Sequence, residues 1–147
     1  MIRLPNAEAT TAFGRSIAAR LRPGDVLALY GSLGAGKTTL ARGILEGLGH
    51  EGDVASPTFA IVQAYDPPDV RLPAWHVDLY RIDEPAELEE LGLEETLNDG
   101  VLLIEWPERL QTLWPQSLKL WLEAEDDGGR ALTAEVPAAW GDRWPPR

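Results

Sequence analysis

The spacing of apolar residues divides the first third of the chain into two helices and one strand. Residues 6–21 repeat apolar positions at helical spacing, and Asn6 is a suitable N-cap for that helix. The apolar run at 26–30 is short and uninterrupted, which is typical of a strand buried on both faces. A second helical pattern covers 38–49, where Gly49 marks its end. This order predicts a buried strand, then a loop, then a helix.

The rest of the chain is dominated by extended segments. Strand-like patterns occur at 58–65, 74–82, 101–104, 117–125 and 130–136. A short acidic helix is expected at 85–91, one or two helical turns at 108–113, and an irregular tail at 137–147. Because neither a repeat nor a linker interrupts the sequence, residues 1–147 are predicted to form a single domain. The predicted fold class is α/β, with a central sheet of mixed strands flanked by helices.

Charge and cysteine content restrict the possible partners. The formal net charge is −11, the only lysines are Lys37 and Lys119, and the other eleven of the 13 basic residues are scattered arginines. Nucleic-acid affinity comes largely from phosphate neutralisation by Lys and Arg, so we expect no DNA binding and no direct tRNA binding. Seven acidic residues within 83–95 form either a solvated helix face or a docking surface for a basic partner. The absence of cysteine excludes thiolate metal sites and cysteine catalysis.

Hydropathy gives an expectation about location. The sequence contains no run of about 18 apolar residues, and its N-terminal stretch lacks the apolar segment of a signal peptide. We therefore expect no membrane span and a cytoplasmic protein.

A glycine-rich stretch lies between the first strand and the second helix. Residues 31–38, GSLGAGKT, match the P-loop pattern G-x-x-x-x-G-K-[ST]. Glycines permit backbone angles closed to other residues, so successive N–H groups can surround phosphate oxygens, and the positive end of the following helix points at the same anion. Lys37 is expected to bridge the β- and γ-phosphates, and Thr38 to place its hydroxyl on Mg²⁺. The strand–loop–helix context favours a nucleotide site over a structural turn and predicts a P-loop NTPase-like sheet.

Acidic residues at strand positions are candidates for the chemistry. Glu105 follows four buried apolar residues, where a P-loop protein carries its magnesium-side acid; otherwise it is a carboxylate exposed at a strand end. Asp78 lies on the polar face of the strand HVDLY, and a charge there is costly unless it is paired or functional. It serves either catalysis or the metal, or it forms a salt bridge with a residue such as Arg81. His76, on the same face, is interpreted as a hydrogen-bonding structural residue.

One further motif, and the absence of two others, restrict the class of P-loop protein to which the chain can belong. The stretch SPTF at 56–59 precedes a strand, so Ser56 or Thr58 can sense the γ-phosphate as in P-loop switches, unless the stretch is only a proline-containing loop. No N-K-x-D sequence is present, which disfavours a GTPase. The sequence also lacks the arginine-rich lid segment that is typical of a nucleoside kinase.

Taken together, the motifs LYGSLGAGKTTLARG, SPTF, HVDLYRI, ELEELGLEE and VLLIEWPERL resemble the TsaE family from about residue 4 to residue 110. TsaE proteins are small bacterial ATPases required for making threonylcarbamoyladenosine in tRNA. The resemblance implies a central sheet with flanking helices, binding of ATP and Mg²⁺, and weak hydrolysis by the isolated protein. It also implies action on the TsaD–TsaB pair, which transfers threonylcarbamoyl to the adenosine next to the anticodon.

The family's functional positions carry over to named residues. Those that bind the nucleotide are expected to be Leu33, Gly34, Ala35, Gly36, Lys37, Thr38, Thr39 and Thr58. The catalytic residues are expected to be Lys37, Asp78 and Glu105, and the magnesium ligands Thr38 and Glu105. Trp106, directly after the acid, is expected to pack near the nucleotide or the partner.

Three functions remain open at this point. The first is an ATP-hydrolysing accessory protein that acts through TsaD–TsaB and reaches tRNA only indirectly. The second is a small-molecule phosphotransferase using the same P-loop, and the third is a nucleotide-dependent binding module. Stimulation of ATP turnover by a protein partner separates the first from the second, which requires a phosphorylated product.

Overall fold

One mixed sheet organises the molecule. A computed structural model describes residues 1–32, 34–52, 54, 62–80, 82, 91–110 and 112–146. Its strands are β1 (Ile2–Leu4), β2 (Val26–Tyr30), β3 (Val62–Tyr65), β4 (Ala74–Asp78), β5 (Val101–Glu105), β6 (Ser117–Ala124) and β7 (Arg130–Glu135). Its helices are α1 (Ala7–Ala18), α2 (Lys37–Leu48) and α3 (Leu93–Thr96), with 3-10 turns at Pro107–Arg109 and Ala138–Arg143. None of the helices in these ranges is both long and apolar enough to cross a membrane.

The strand order explains which segments are most apolar. The order across the sheet is β1-β7-β6-β2-β5-β4-β3, in which β6, β2, β5 and β4 run parallel and the edges are antiparallel. Central parallel strands are covered on both faces, and the apolar residues of β2 from Val26 to Leu29 and of β5 from Val101 to Ile104 are fully buried. The predicted α/β class with a mixed central sheet is confirmed.

The parallel strands bring three parts of the chain to one edge of the sheet. In the register, Leu29 of β2 lies beside Glu105 of β5, and Glu105 lies beside Asp78 of β4. The glycine-rich loop leaves β2 at this same edge. Ligands of open α/β sheets bind outside the carboxyl ends of the strands, so this edge is the place to look for a site.

Two helices pack closely on one face of the sheet. The N-cap of α1 is Asn6, as predicted, and its Oδ1 accepts a hydrogen bond of 2.8 Å from the backbone N–H of Ala9. A Cβ on Gly14 of α1 would lie 2.6 Å from the carbonyl oxygen of Leu40 in α2. Only glycine allows the two backbones to come this close. The close contact fixes α2, and with it the residues that begin α2.

Several predicted boundaries change. The short edge strand β1 was not predicted, because three residues are too few to show a period. The strand predicted at 74–82 ends at Asp78, since Asp78 Oδ1 accepts a 2.9 Å hydrogen bond from Tyr80 N–H and turns the chain. The strand predicted at 58–65 is observed from Val62, and residues 58–61 lie outside the described residues, as do 85–90 of the predicted acidic helix.

The irregular tail predicted for 137–147 is corrected over Ala138–Arg143, which forms 3-10 turns. Trp140 is 1% exposed, and the buried guanidinium of Arg143 donates to both carboxylate oxygens of Asp25, at 2.7 and 3.1 Å. The stretch shows no hydrophobic period, and its anchor lies far away in sequence, so no local pattern could reveal this packing.

Candidate functional site

The loop between β2 and α2 has the backbone shape that its glycines allow. Gly34 and Gly36 have φ values of 77° and 104°, in the left-handed region that only glycine adopts at little cost. Gly36 is the N-cap of α2, and no side chain caps that end of the helix. A helix start without a side-chain cap keeps backbone N–H groups available for an anion.

Lys37 is held at the mouth of the loop. Its side chain is buried, and Nζ donates a 2.6 Å hydrogen bond to the carbonyl oxygen of Gly31. Nζ also lies 3.6 Å from the centre of the Trp106 ring, within cation–π distance. Burial lowers the pKa of the Lys37 ammonium, and the nearby carboxylates of Glu105, Glu108 and Asp78 oppose this shift. These contacts fix the position of the cation beside the loop.

Thr38 and Glu105 join the start of α2 to the end of β5. The Thr38 hydroxyl lies 3.2 Å from each carboxylate oxygen of Glu105. Glu105 is only 3% exposed, so the alternative of a merely exposed strand-end carboxylate is wrong. Its Oε2 is 2.6 Å from Nε2 of the fully buried His76, which confirms the hydrogen-bonding interpretation of that histidine. Glu105 is therefore oriented from two sides.

A hydroxyl facing a carboxylate suits a magnesium ion. Mg²⁺ prefers oxygen ligands, and it is commonly held by one or two protein groups, with phosphates and water completing the shell. Thr38 and Glu105 supply such a pair. Within the described ranges, no group of three or more His, Asp and Glu side chains could hold a metal by itself. The residues present thus fit a magnesium ion that enters with a phosphate ligand.

Asp78 lies beside Glu105 in a different environment. It ends β4, directly opposite Glu105 in the parallel register, and is 6% exposed. Its Oδ1 accepts the N–H of Tyr80, which anchors the turn after the strand. Arg81, its suggested ion-pair partner, lies outside the described residues. The catalytic or metal-linked role of Asp78 stays a prediction.

The structure brings most of the predicted site residues to one edge. Those gathered there are Gly34, Ala35, Gly36, Lys37, Thr38, Asp78 and Glu105. Thr39 is half-buried in the first turn of α2. Leu33, Ser56 and Thr58 lie outside the described residues, so their assignments stay predictions.

Two further side chains lie at the site: Trp106, which was expected only to pack near the nucleotide or the partner, and Arg130, for which the sequence predicted no role. Trp106 has φ 60°, an unusual value for a residue other than glycine, and stacks at a tilt on Tyr80 with ring centres 4.9 Å apart. Such backbone outliers concentrate at functional sites. The position after the predicted acid was the only sequence signal for it. Arg130, at the start of β7, donates to the carbonyl oxygen of Gly34 at 3.1 Å, and nothing in the sequence connects two residues 96 positions apart.

Comparisons with known proteins identify the family to which this chain is similar. The family model described as "Threonylcarbamoyl adenosine biosynthesis protein TsaE" matches residues 4–132. A Bacillus subtilis (strain 168) protein named tRNA threonylcarbamoyladenosine biosynthesis protein TsaE is 43% identical over 133 residues, which span 89% of this chain and 82% of the relative. A protein of the same name from Streptomyces coelicolor is 40% identical over 134 residues, spanning 89% and 90%.

A solved structure extends the likeness to three dimensions. The crystal structure of Bacillus subtilis YdiB matches with a TM-score of 0.76 at 35% sequence identity, covering 95% of this chain and 86% of that one. The matched residues 4–132 include every predicted site residue, from the loop after β2 to the end of β5. The chain belongs to the TsaE family of threonylcarbamoyl adenosine biosynthesis proteins.

Proposed function

We propose that this protein is a magnesium-dependent ATPase that serves the threonylcarbamoyl modification of tRNA by acting on the TsaD–TsaB complex. The observation that carries the proposal is the contact between Thr38 and Glu105, 3.2 Å from hydroxyl to carboxylate. It joins the first turn of the P-loop helix to the end of the neighbouring parallel strand. That is the arrangement with which P-loop enzymes hold the metal of a nucleoside triphosphate.

Each residue has a distinct part in this proposal. The N–H groups of the loop and the positive end of α2 bind the phosphates, and Lys37 places its ammonium among their oxygens. Thr38 and Glu105 hold Mg²⁺, which when bound neutralises charge on the phosphates. Asp78 lies next to Glu105 on the neighbouring strand, and in this proposal it orients the attacking water. These residues position groups rather than form covalent bonds, as expected for phosphoryl transfer.

Charge supports action through a protein partner. The formal net charge is −11, and one of the two lysines, Lys37, is committed to the loop. The protein therefore has little means of neutralising RNA phosphates by itself. Family membership connects it to tRNA modification, and TsaD–TsaB is the partner that the resemblance implies.

ATP turnover with and without the partner tests the proposal. The purified protein is assayed with Mg²⁺ or with EDTA, alone, with TsaD–TsaB, and with TsaD–TsaB plus tRNA. We expect weak, magnesium-dependent turnover that the partner stimulates, and turnover about 10²–10³-fold lower with Lys37→Ala. If TsaD–TsaB does not change ATP turnover and a phosphorylated small molecule is formed, the protein is the phosphotransferase instead.

A binding experiment tests the indirect relation to tRNA. Non-specific nucleic-acid binders show Kd values of about 10⁻⁴–10⁻⁶ M at physiological salt, and at that salt we expect no significant binding of labelled tRNA by the isolated protein. The amount of TsaD–TsaB recovered by pull-down is expected to differ between ATP and ADP. The nucleotide can control partner binding only if the ATP-bound and ADP-bound states have different affinities for the partner. Tight, salt-sensitive tRNA binding with a nucleotide-independent pull-down contradicts this part of the proposal.

A further inference from the structure

The half of the sheet formed by β2, β6 and β7 has one closed and one open face. Alternate positions of β6 are leucines, and they are buried in the core cluster that contains the inward residues of α1 and α2. Because side chains alternate along a strand, Lys119 and Trp121 lie on the other face. There the register places them beside Glu135 and Thr133 of β7, which are both exposed. These four residues, with Tyr30 of β2, form the open face.

An aromatic pair lies in the middle of the open face. The rings of Tyr30 and Trp121 are stacked, with centres 4.7 Å apart and an angle of 12° between their planes. In the register, Trp121 lies between Tyr30 on one side and Thr133 on the other. The phenol covers one face of the indole, whereas a threonine is too small to cover the second face. Trp121 is accordingly only half-buried, so part of a large aromatic surface is available to a partner.

The aromatic pair lies in a negative electrostatic environment. Burial raises the pKa of the Tyr30 hydroxyl, and the carboxylates of Glu108 and Glu135 raise this pKa further. No cation of the described residues opposes these two carboxylates at Tyr30. Glu108 lies in the 3-10 turn after β5 and Glu135 in β7, so negative charge reaches the pair from two elements. Within the described ranges, neither carboxylate forms an ion pair.

A guanidinium group matches both features of the open face. It is planar and stacks on aromatic rings, and its edge donates to carboxylates. A cation close to a tryptophan face is attracted by the ring, most strongly when the contact excludes water. RNA fits the open face poorly, because its phosphates would meet Glu108 and Glu135. A second copy of this chain also fits poorly, because a two-fold contact would bring the same carboxylates together.

We propose that the open face is a docking surface for a protein partner that presents an arginine, whose guanidinium stacks on the uncovered face of Trp121 and donates to Glu135. This inference rests on the proposed action through a protein partner. It places the contact on the side of the sheet away from α2. Aromatic residues and arginines are the side chains that most often dominate the binding energy of an interface, so this contact is expected to contribute strongly.

The first test measures the affinity of TsaD–TsaB for the wild type, Trp121→Leu, Glu135→Lys and Glu8→Lys. Glu8→Lys is the matched control, because it makes the same change of net charge at an exposed residue of α1, on the closed side of the sheet. Thermal unfolding confirms that each variant is folded. If Trp121→Leu does not fold, Glu135→Lys carries the test, because its side chain is exposed.

Trp121→Leu is expected to lower the affinity about 30-fold, the loss typical of an aromatic residue at the centre of an interface. Glu135→Lys is expected to lower it at least about 10-fold, because like charges then meet, and added salt should reduce this loss. Glu8→Lys should change the affinity less than about 3-fold, since it lies outside the contact. ATP turnover without the partner should be the same in Glu135→Lys and the wild type.

The second test titrates the isolated protein with a short peptide of alternating glycine and arginine. Its readout is the NMR signal of the Trp121 indole N–H, which is assigned by its absence in Trp121→Leu. We expect the peptide to shift this signal in the wild type and in Glu8→Lys but not in Glu135→Lys. A peptide with lysine in place of arginine should shift it less, because an ammonium group cannot stack.

The outcomes separate the inference from the proposed function. Equal affinity of TsaD–TsaB for the wild type and both open-face variants overturns the inference. It is also overturned if Glu8→Lys loses as much affinity as Glu135→Lys, because net charge alone then explains the loss. A dimer of the free protein that Glu135→Lys dissociates assigns the open face to a second copy instead. If the wild type does not bind TsaD–TsaB, the proposed function fails, and the peptide titration alone decides the inference: a Trp121 shift that Glu135→Lys removes supports it, and no shift overturns it.

Discussion

Two buried pairs of charged or polar side chains lie at opposite ends of the parallel strands. At the amino end of β2, Asp25 pairs with Arg143 at 2.7 Å. At the carboxyl end of β5, Glu105 pairs with His76 at 2.6 Å. All four side chains are almost completely buried. Burial and charge alone therefore do not separate a structural pair from a functional one.

The difference lies in how completely each pair is bonded. All three nitrogens of the Arg143 guanidinium donate to the protein, to Asp25 and to the carbonyl oxygens of Arg20, Ala139 and Trp140. The pair at the carboxyl end instead adjoins Thr38 and the glycine-rich loop, and His76 Nδ1 has no partner among the described residues. A saturated pair can only stabilise the fold, whereas an unsaturated one can also serve a ligand.

The largest expected effect is on stability, at the amino end. Removing one partner of a buried ion pair typically costs about 3–5 kcal/mol, because the other charge stays buried without compensation. We expect Arg143→Met to lower the free energy of unfolding in urea by about this amount. Nucleotide affinity of the folded variant should not change. Arg20→Met, at an exposed side chain, is the control. A loss below about 1 kcal/mol, the value of a surface pair, would remove the distinction between the two ends.

The second prediction reverses that pattern at the carboxyl end. Lys37→Ala is expected to lower ATP turnover by about 10²–10³-fold, the usual cost of removing one group that stabilises transition-state charge. Burial lowers the pKa of Lys37, so folding disfavours its charged form near neutral pH, and losing that charge should cost little stability. Lys119→Ala, which changes the only other lysine, is the control for turnover and unfolding. Equal turnover in both variants contradicts the site assignment.

The two ends also differ in how far the sequence could predict them. The loop, Lys37, Thr38 and Glu105 were predicted, because a glycine pattern and a buried strand are local signals. Arg143 pairs with Asp25 across 118 positions, and the tail around it has no hydrophobic period. Contacts of this kind depend on the order of strands in the sheet, which residue patterns do not specify. The packing of Trp106 on Lys37 likewise joins residues that are far apart in the sequence, so no local pattern predicts it.

A third prediction separates the two neighbouring carboxylates. Asp78→Asn is expected to bind ATP normally and to turn it over about 100-fold more slowly, as for loss of a group that orients the attacking water. Glu105→Gln is the matched comparison, since it changes a carboxylate to an amide at the same position along the next strand. Glu105→Gln should lower the affinity for ATP in the presence of Mg²⁺ and change the affinity little when EDTA removes the metal. If Asp78→Asn gives the magnesium-dependent loss instead, the two roles are exchanged.

The smallest expected effect is at His76, which acts through Glu105. His76 Nε2 fixes one carboxylate oxygen of Glu105 at 2.6 Å while Thr38 contacts both oxygens, so Glu105 keeps part of its orientation when the ring is removed. Partners that orient a metal ligand typically contribute 10–100-fold in metal affinity, and we expect about 10-fold here for His76→Leu. His76→Gln, whose amide N–H can replace the Nε2 donor, should recover most of the affinity. The measurement is Mg²⁺ dependence of ATP turnover, with unfolding in urea to exclude a loss of fold. If His76 is purely structural, both substitutions will lower the free energy of unfolding and leave the magnesium dependence of turnover unchanged. The pair of His76 and Glu105 would then resemble the structural pair at the amino end.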